Sequence, residues 1–511
     1  MNNNDSKNKR NTVSRRTLLK GLGFGLGAAT LAACGAAATP AAVPAEKPAE
    51  AATEKPAEAA VEKPVEKPAE ATAVPPTPPP APTITPVPMV AQPAGSTKVT
   101  FWYGLGGNLG NVVRQVANKY NESQTKYYVE PVFQASYDDT INKINTALAG
   151  GELPHVAQVF DAGQQRMIDS KRIRIVQELL AADGMNDFMT DLEPAVRSYY
   201  TVGGTMYSMP FNSSTAMTYI NKKMFRDAGL DADKAIWTYE ELLEAFKKLT
   251  VVEGDQVKVA GLAFNASGWF FEQQHAVHEG MLAEPDNGRT ARAEKYVFNG
   301  ETGVKWLEFL KQTVADKSGV YYATGNPQAA FVSGQAAVHF DSIASLRGIS
   351  SSAEKTGVEV GVAFMPRRAG AKTGRTIIGG ASLYLTDAGT AEEQAGAWDF
   401  VKFATTTETQ GFWSANTGYY PVRQSAYEMP DLKEALKKYP QFQVAIDQIR
   451  SAPESYFNSG VISGTFVPMR QEVQKSMDAF WSGKAATAQA ALDETVARCN
   501  EQLEEYNSTV K

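Results

Sequence analysis

The sequence predicts an α/β body of two lobes behind a long polar leader. Residues 97–511 are more chain than one hydrophobic core usually organises, so two lobes are expected. The start of that body alternates strand-like and helix-like segments, the pattern of an α/β unit with a mixed or parallel sheet. Residues 35–96 are mainly Ala, Glu, Lys and Pro with no aromatic residue, which sets the body apart from what precedes it.

The first 34 residues read as an address. A basic stretch ends in "SRRTLLK", and the short apolar run "GLGFGLGAATLAA" leads to Cys34. The run is too short for a stable membrane span and has the layout of a secretory signal. Arg15-Arg16 resembles a twin-arginine export signal. "LAAC" resembles a lipobox, which implies that Cys34 is lipidated and becomes the new N-terminus. The 35–96 segment cannot bury enough apolar surface to offset chain entropy and is expected to be a disordered tether. With Cys34 lipidated, Cys499 has no partner within the chain and is expected to be a small buried residue.

The body opens with the alternating strand "KVTFWY", then "GLGGNLG" and a helix in which Val112, Val113, Val116, Ala117 and Tyr120 share one face. "KYYVEPVF" reads as a second strand. "YDDTINKINTALAGG" reads as a helix ended by Gly150-Gly151, and "HVAQVF" as a buried strand. Later segments mix helix with isolated strands, among them "TYEELLEAFKKL", "GVKWLEFLKQTVAD", "VEVGVAFMP" and "EEQAGAWDFVKFATT".

Several chemistries are excluded. A net charge of −6 leaves no nucleic-acid footprint and no polybasic patch. "GLGG" invites a dinucleotide reading, but the fingerprint needs glycine where Leu109 stands; tight turning at a cleft edge suits these glycines better. His275 and His278 lie three apart with no third ligand at metal spacing, so a solvated helix face is expected rather than a metal site. There is no nucleophile elbow and no evident carboxylate pair, so neither catalytic residues nor a cofactor are expected.

A binding constellation remains. Trp102, Tyr103, Trp269, Phe270, Trp413, Tyr419 and Tyr420 fall at expected loop ends, where rings either cover the C–H surface of a polyhydroxylated ligand or join the core. "PFNSST", Pro210 to Thr215, sets an amide and three hydroxyls between two apolar runs and reads as a polar turn.

The leader, the tether and this body together resemble the extracellular solute-binding proteins of ABC importers. "FVSGQAAV" and "WSANTGYYPV" resemble recurrent segments of the sugar-type family. "PFNSST", "IIGGASL" and "TGYYPV" bring the chain nearest the members that take glycerol 3-phosphate. The resemblance implies an α/β two-lobed periplasmic-binding-protein fold of type II, with crossover hinge strands and a ligand cleft between lobes. It places the first lobe at 97–208 plus 340–405 and the second at 209–339 plus 406–511. The ligand contacts it implies are Tyr137, Asp161, Ser214, Ser342, Gly380, Tyr419 and Arg470, with Trp269 as the stacking ring.

In that set Arg470 offers a planar fork for phosphate, Asp161 accepts from glycerol hydroxyls, Ser214 donates to the ligand, and Asn212 and Ser213 fix the turn. Asp161 stands where the family has glutamate, and Asp341 beside Ser342 brings a negative charge that favours a neutral sugar, oligosaccharide or polyol as the alternative ligand. The implied partners are a small-molecule ligand, ABC permease subunits with an ATPase, and the membrane through the lipid anchor. The protein is expected to be a monomer on the outer face of the cell membrane.

Overall fold

Why the first lobe forms is plain from its local signals. The computed structural model describes residues 85–371 and 374–510; the leader, Cys34 and the tether up to residue 84 lie outside the described residues. Strand β1 (Thr97–Tyr103) leads into helix α1 (Gly107–Ser123), which buries the apolar face expected of it. Strand β2 (Tyr127–Phe133) is followed by α2 (Tyr137–Leu148), where the Ser136 hydroxyl accepts from Asp139 N and two aspartates occupy the first turn. Strand β3 (Val156–Phe160) is almost wholly buried and ends in a turn that begins at Asp161.

After four short helices, Gln164–Ser170, Val176–Ala182, Phe188–Asp191 and Pro194–Tyr200, β4 (Met209–Ser214) runs through Thr215 alone into β5 (Ala216–Asn221), with every residue of both strands buried. "PFNSST" therefore lies along this strand, with Thr215 alone outside it, and is not a turn. Its hydroxyls and amide misled the reading, because a strand buried on both faces loses the alternation that marks a half-buried one.

The second lobe holds α3 (Tyr239–Leu249), started by a Thr238/Glu241 capping box, then β6 (Gln256–Phe264) and α4 (Gly268–Val277). It continues through α5 (Glu301–Ala315), β7 (Gly319–Tyr321), β8 (Ala336–Ser342), α6 (Leu346–Thr356) and β9 (Val360–Ala363). The chain then returns as β10 (Gly379–Leu385), followed by α7 (Ala391–Ala404) and α8 (Thr407–Asn416). Helices α9 (Gln441–Arg450), α10 (Phe466–Trp481) and α11 (Ala488–Thr509) complete it.

The two main sheets share one plan. The first has the order β2-β1-β3-β10-β4, and the second β7-β6-β8-β5-β9 with the short strand Val251–Glu253 paired to β6. In each, three strands are mutually parallel, and the neighbour next to them is antiparallel. Those antiparallel neighbours, β10 and β5, belong to the two crossovers.

The lobe boundaries differ from the expected ones. Residues 343–363 run with the second sheet, because β9 pairs with β5, so the return crossover lies between β9 and β10 and not near 340. Helix α8 packs on α1 of the first lobe instead of opening the second. Residues 85–90 of the expected tether are placed against α1.

Cys499 is buried in α11, as expected, and burial pushes its thiol up to about 12. His275 and His278 are not on a solvated face. Both are buried, each ring N–H donating to the carbonyl four residues back, Phe271 at 2.9 Å and Gln274 at 2.7 Å, and burial lowers each imidazole to about 4. Among the described residues no group of three or more His, Cys, Asp or Glu could hold a metal, and no helix is long and apolar enough to cross a membrane.

Candidate functional site: a cleft at the crossovers

The crossovers define the floor. Thr215, at the passage from β4 to β5, donates its hydroxyl to Thr376 Oγ1 at 2.7 Å, tying the outgoing strand to the returning one. Beyond the tie, Ser214 pairs with Gly379 and Ser213 with Gly380. Gly380 has φ +108°, and a Cβ there would lie 2.0 Å from the Asn212 carbonyl oxygen, so only glycine fits. Its N–H donates to the Asp161 carboxylate, as does that of Ala162.

Asp161 heads the turn after β3, and burial raises its pKa against the opposing pull of Arg470. Arg470 reaches it from α10 in the second lobe, Nη1 to Oδ1 at 2.7 Å. The other fork nitrogen, Nη2, donates to Glu272 on α4. The sequence pointed to neither Glu272 nor this sharing. Burial and the nearby Asp161 charge push Glu272 up to about 7 against the opposing pull of Arg470. Arg470 Nε, Glu272 Oε1 and the hydroxyls of Tyr199 and Tyr200 are buried without a protein partner, and both tyrosines feel the Asp161 charge. One guanidinium is thus held between two carboxylates instead of presenting a free fork.

A second line of polar groups crosses the first lobe. Gly104 N donates to Gln158 Oε1 at 3.1 Å, Gln158 Nε2 to Asn212 Oδ1 at 2.9 Å, and Asn212 Nδ2 to the Tyr137 hydroxyl at 2.9 Å. Tyr137 meets the Tyr419 hydroxyl at 3.3 Å and stacks on Phe160, with ring centroids 5.6 Å apart. Asn212 therefore orients Tyr137, where the sequence had suggested a turn-former. Burial pushes the Tyr419 phenol up to about 12, so it stays a hydrogen-bonding hydroxyl near neutrality.

Trp269 comes from the start of α4 and covers Gly379; a Cβ on that glycine would sit 2.6 Å from the indole and 3.3 Å from Ser214 Oγ. The indole N–H is buried and unpartnered. Ser342 caps the turn after β8, its hydroxyl accepting from Ala344 N at 3.1 Å, and that turn packs on Gly418 beside Tyr419. Trp413 and Tyr420 are fully buried core residues, though the Tyr420 hydroxyl donates to Ser214 O at 3.1 Å.

Beside the crossovers, a cavity of about 520 Å³ opens in the second lobe, lined among others by Asn265, Ser267, Phe270, Gln328, His339 and Asp341. Asp341 is kept ionised, its pKa lowered by His339 and Gln328 despite burial. The arrangement suits a small polar ligand. Asp161, Gly380 and Arg470 converge at one point, Tyr137, Asn212 and Tyr419 at another, and Trp269 covers the floor near Ser214.

Residues 115–444 match the family model of the bacterial extracellular solute-binding proteins. The sn-glycerol-3-phosphate-binding periplasmic protein UgpB of Pectobacterium atrosepticum is 30% identical over 429 residues, 83% of this chain and 95% of its own. That of Yersinia enterocolitica is 31% identical over 427 residues, 82% and 95%. Among solved structures, UgpB of Mycobacterium tuberculosis in complex with glycerophosphocholine superposes with a TM-score of 0.67 at 20% identity, covering 81% of this chain and 99% of its own. The GacH receptor of Streptomyces glaucescens, solved unliganded and with acarbose, gives 0.66 at 20% identity, covering 80% and 99%. Maltose-bound MalE3 of Thermotoga maritima gives 0.67 at 20%, covering 80% and 100%. With its two α/β lobes and its crossover cleft, the chain belongs to the bacterial extracellular solute-binding proteins, the exported, non-enzymatic substrate-binding components of ABC importers.

Proposed function

We propose that the protein captures glycerol 3-phosphate or a glycerophosphodiester and delivers it to the permease and ATPase of its importer. The observation that carries this reading is the meeting of Asp161 and Arg470 across the lobes. A carboxylate that accepts from vicinal hydroxyls lies 2.7 Å from a guanidinium suited to phosphate oxygens. The identity to glycerol-3-phosphate-binding relatives over most of both chains supports it. Tyr137, Ser214, Gly380 and Tyr419 supply the remaining donors, Trp269 the apolar cover, and Ser342 the rim. Closure around the ligand is a hinge motion about the crossovers at Thr215 and Thr376. The twin-arginine-like leader and Cys34 would export the protein and tether it by lipid to the membrane face.

A neutral sugar, oligosaccharide or polyol is the second reading, and a specific observation favours it. Arg470 is already shared by Asp161 and Glu272, so a phosphate entering there meets two carboxylates. Protonation of Glu272, whose pKa lies near neutrality, would relieve one of them.

Calorimetry against glycerol 3-phosphate, glycerophosphocholine and maltose separates the readings. Heat with a phosphate ligand that disappears in Arg470→Ala, and that grows in Glu272→Gln, is the expected result. Binding of maltose alone overturns it and leaves the second reading.

A further inference from the structure

The chain does not enter β1 directly from its tether. Residues 85–90, Thr-Pro-Val-Pro-Met-Val, lie along α1 and are held through their backbone. The Asn111 amide accepts from Val87 N at 2.8 Å and donates to Thr85 O at 3.1 Å. The Asn118 amide repeats the clasp, accepting from Val90 N at 3.0 Å and donating to Pro88 O at 2.9 Å. Arg114, between them on the same helix face, donates to Val87 O, and the Tyr128 hydroxyl donates to Val90 O at 3.1 Å. Met89 packs against the first-lobe core.

The two clasps are one geometry used twice. Each amide spans the carbonyl of one residue and the N–H two residues on, and the second clasp is displaced by three residues of the segment. Three residues of polyproline II advance ~9.3 Å, and seven residues of α-helix ~10.5 Å, so asparagines seven apart meet the same backbone phase on successive turns. Pro86 and Pro88 occupy positions whose N–H is not used. Val87 and Val90 occupy those whose N–H is.

The direction matters as much as the grip. The Thr85 end lies at Asn111, one turn into α1, and the loop before α1 packs on Tyr137, since a Cβ on Gly104 would lie 2.8 Å from Tyr137 N. The Val90 end lies at the far end, beside Asn118 and the start of β2. A tether attached at Thr97 would leave from the edge of the lobe remote from the cleft, a β1 length away, or ~23 Å. We propose that the Asn111–Arg114–Asn118 face of α1 is a docking groove for the proline-rich end of the chain's own tether, and that it moves the tether's point of departure to the cleft end of the first lobe. The groove stands independently of the ligand. Only its consequence, that the anchor pulls from beside the cleft mouth, rests on the lipid tether proposed above.

Hydrogen exchange and a spin-label pair on the full-length, lipidated chain test this. The amides of Val87 and Val90 are expected to be protected, and Asn111→Ala/Asn118→Ala to lose that protection about tenfold or more, as the loss of clasping hydrogen bonds predicts. Val87→Pro, which removes one clasped N–H without touching the folded body, should weaken the grip at Val90 as well. Labels at Thr85→Cys and Asn108→Cys should give one short, narrow distance that broadens in the double variant, while ligand binding is unchanged. Exchange of Val87 and Val90 at unstructured-chain rates, or a broad distance in the otherwise wild-type chain, overturns the groove. A chain that does not travel with membranes refutes the anchor and the pull beside the cleft, whereas the exchange result still decides the groove.

Discussion

Arg470 on α10 of the second lobe donates to Asp161 of the first at 2.7 Å, and the bond closes over a cleft in which both side chains are almost fully buried. A buried ion pair inside one domain can reach solvent only by unfolding. This one joins the two lobes, so the hinge opening proposed above would hydrate both partners at once.

That placement predicts how its loss will appear. Arg470→Ala strands two carboxylates, a defect that costs about 3–5 kcal/mol when a buried pair is broken. Opening relieves it more cheaply than unfolding. The closed population should therefore fall by about 100-fold or more, while the unfolding midpoint moves little. Small-angle scattering beside a urea titration reads the two effects separately, and a large loss of stability without expansion would contradict the hinge assignment.

The pH profile has two opposed contributions. Glu272 rises to about 7 when folded, so it favours folding fully below its ordinary carboxylate value and loses that contribution as pH climbs through about 7. His275 and His278 drop to about 4 when folded, so their contribution is present above the ordinary imidazole range and is lost as pH falls toward about 4. Stability should peak between these limits. Glu272→Gln should flatten the upper slope and leave the acid limb intact, as chemical denaturation at stepped pH will record.

Gly380 tolerates no side chain. Its φ of +108° and the Asn212 carbonyl 2.0 Å from any Cβ mean that Gly380→Ala must displace β10 from β4. The cost should exceed about 2 kcal/mol. That displacement should also draw the residue-380 N–H away from Asp161, so ligand affinity falls together with stability. An equally destabilising change remote from the cleft, such as Leu492→Ala in the second-lobe core, should lower stability alone.

Asn212→Ala breaks the relay from Gly104 to Tyr137 at its centre and leaves Gln158 Nε2 buried without its acceptor. A loss of about 1–3 kcal/mol is expected. Tyr137 would retain Tyr419 and its stack on Phe160, so affinity should weaken rather than vanish. Thermal unfolding and calorimetry of this variant beside Tyr137→Phe distinguish a positioning role from direct contact.

Much of the architecture was legible because its signals are local. The apolar face of α1, the Ser136 cap and the Thr238/Glu241 capping box each announce their element within a few residues. The crossover strand was not legible as such. In β4, Pro, Asn and Ser are buried on both faces, and their partners come from β10 and from Gln158, far away in sequence. Glu272 was missed for a related reason. "FFEQQH" carries polar residues at consecutive helical positions, all buried, and that absence of an apolar face was the available sign that α4 lies between packed elements. The family resemblance supplied the remaining positions, but it gave Arg470 a free fork that two carboxylates occupy.

Burial of Cys499 also matters for life in a crowd. Copies held by the proposed lipid anchor would collide in two dimensions, in a compartment where exposed thiols pair oxidatively. A sulfur sealed inside α11, with ionisation pushed to about 12, offers neighbours no thiolate to attack with. Under that anchor, copies would accumulate around a permease without cross-linking through Cys499, and each would remain free to exchange places with the next.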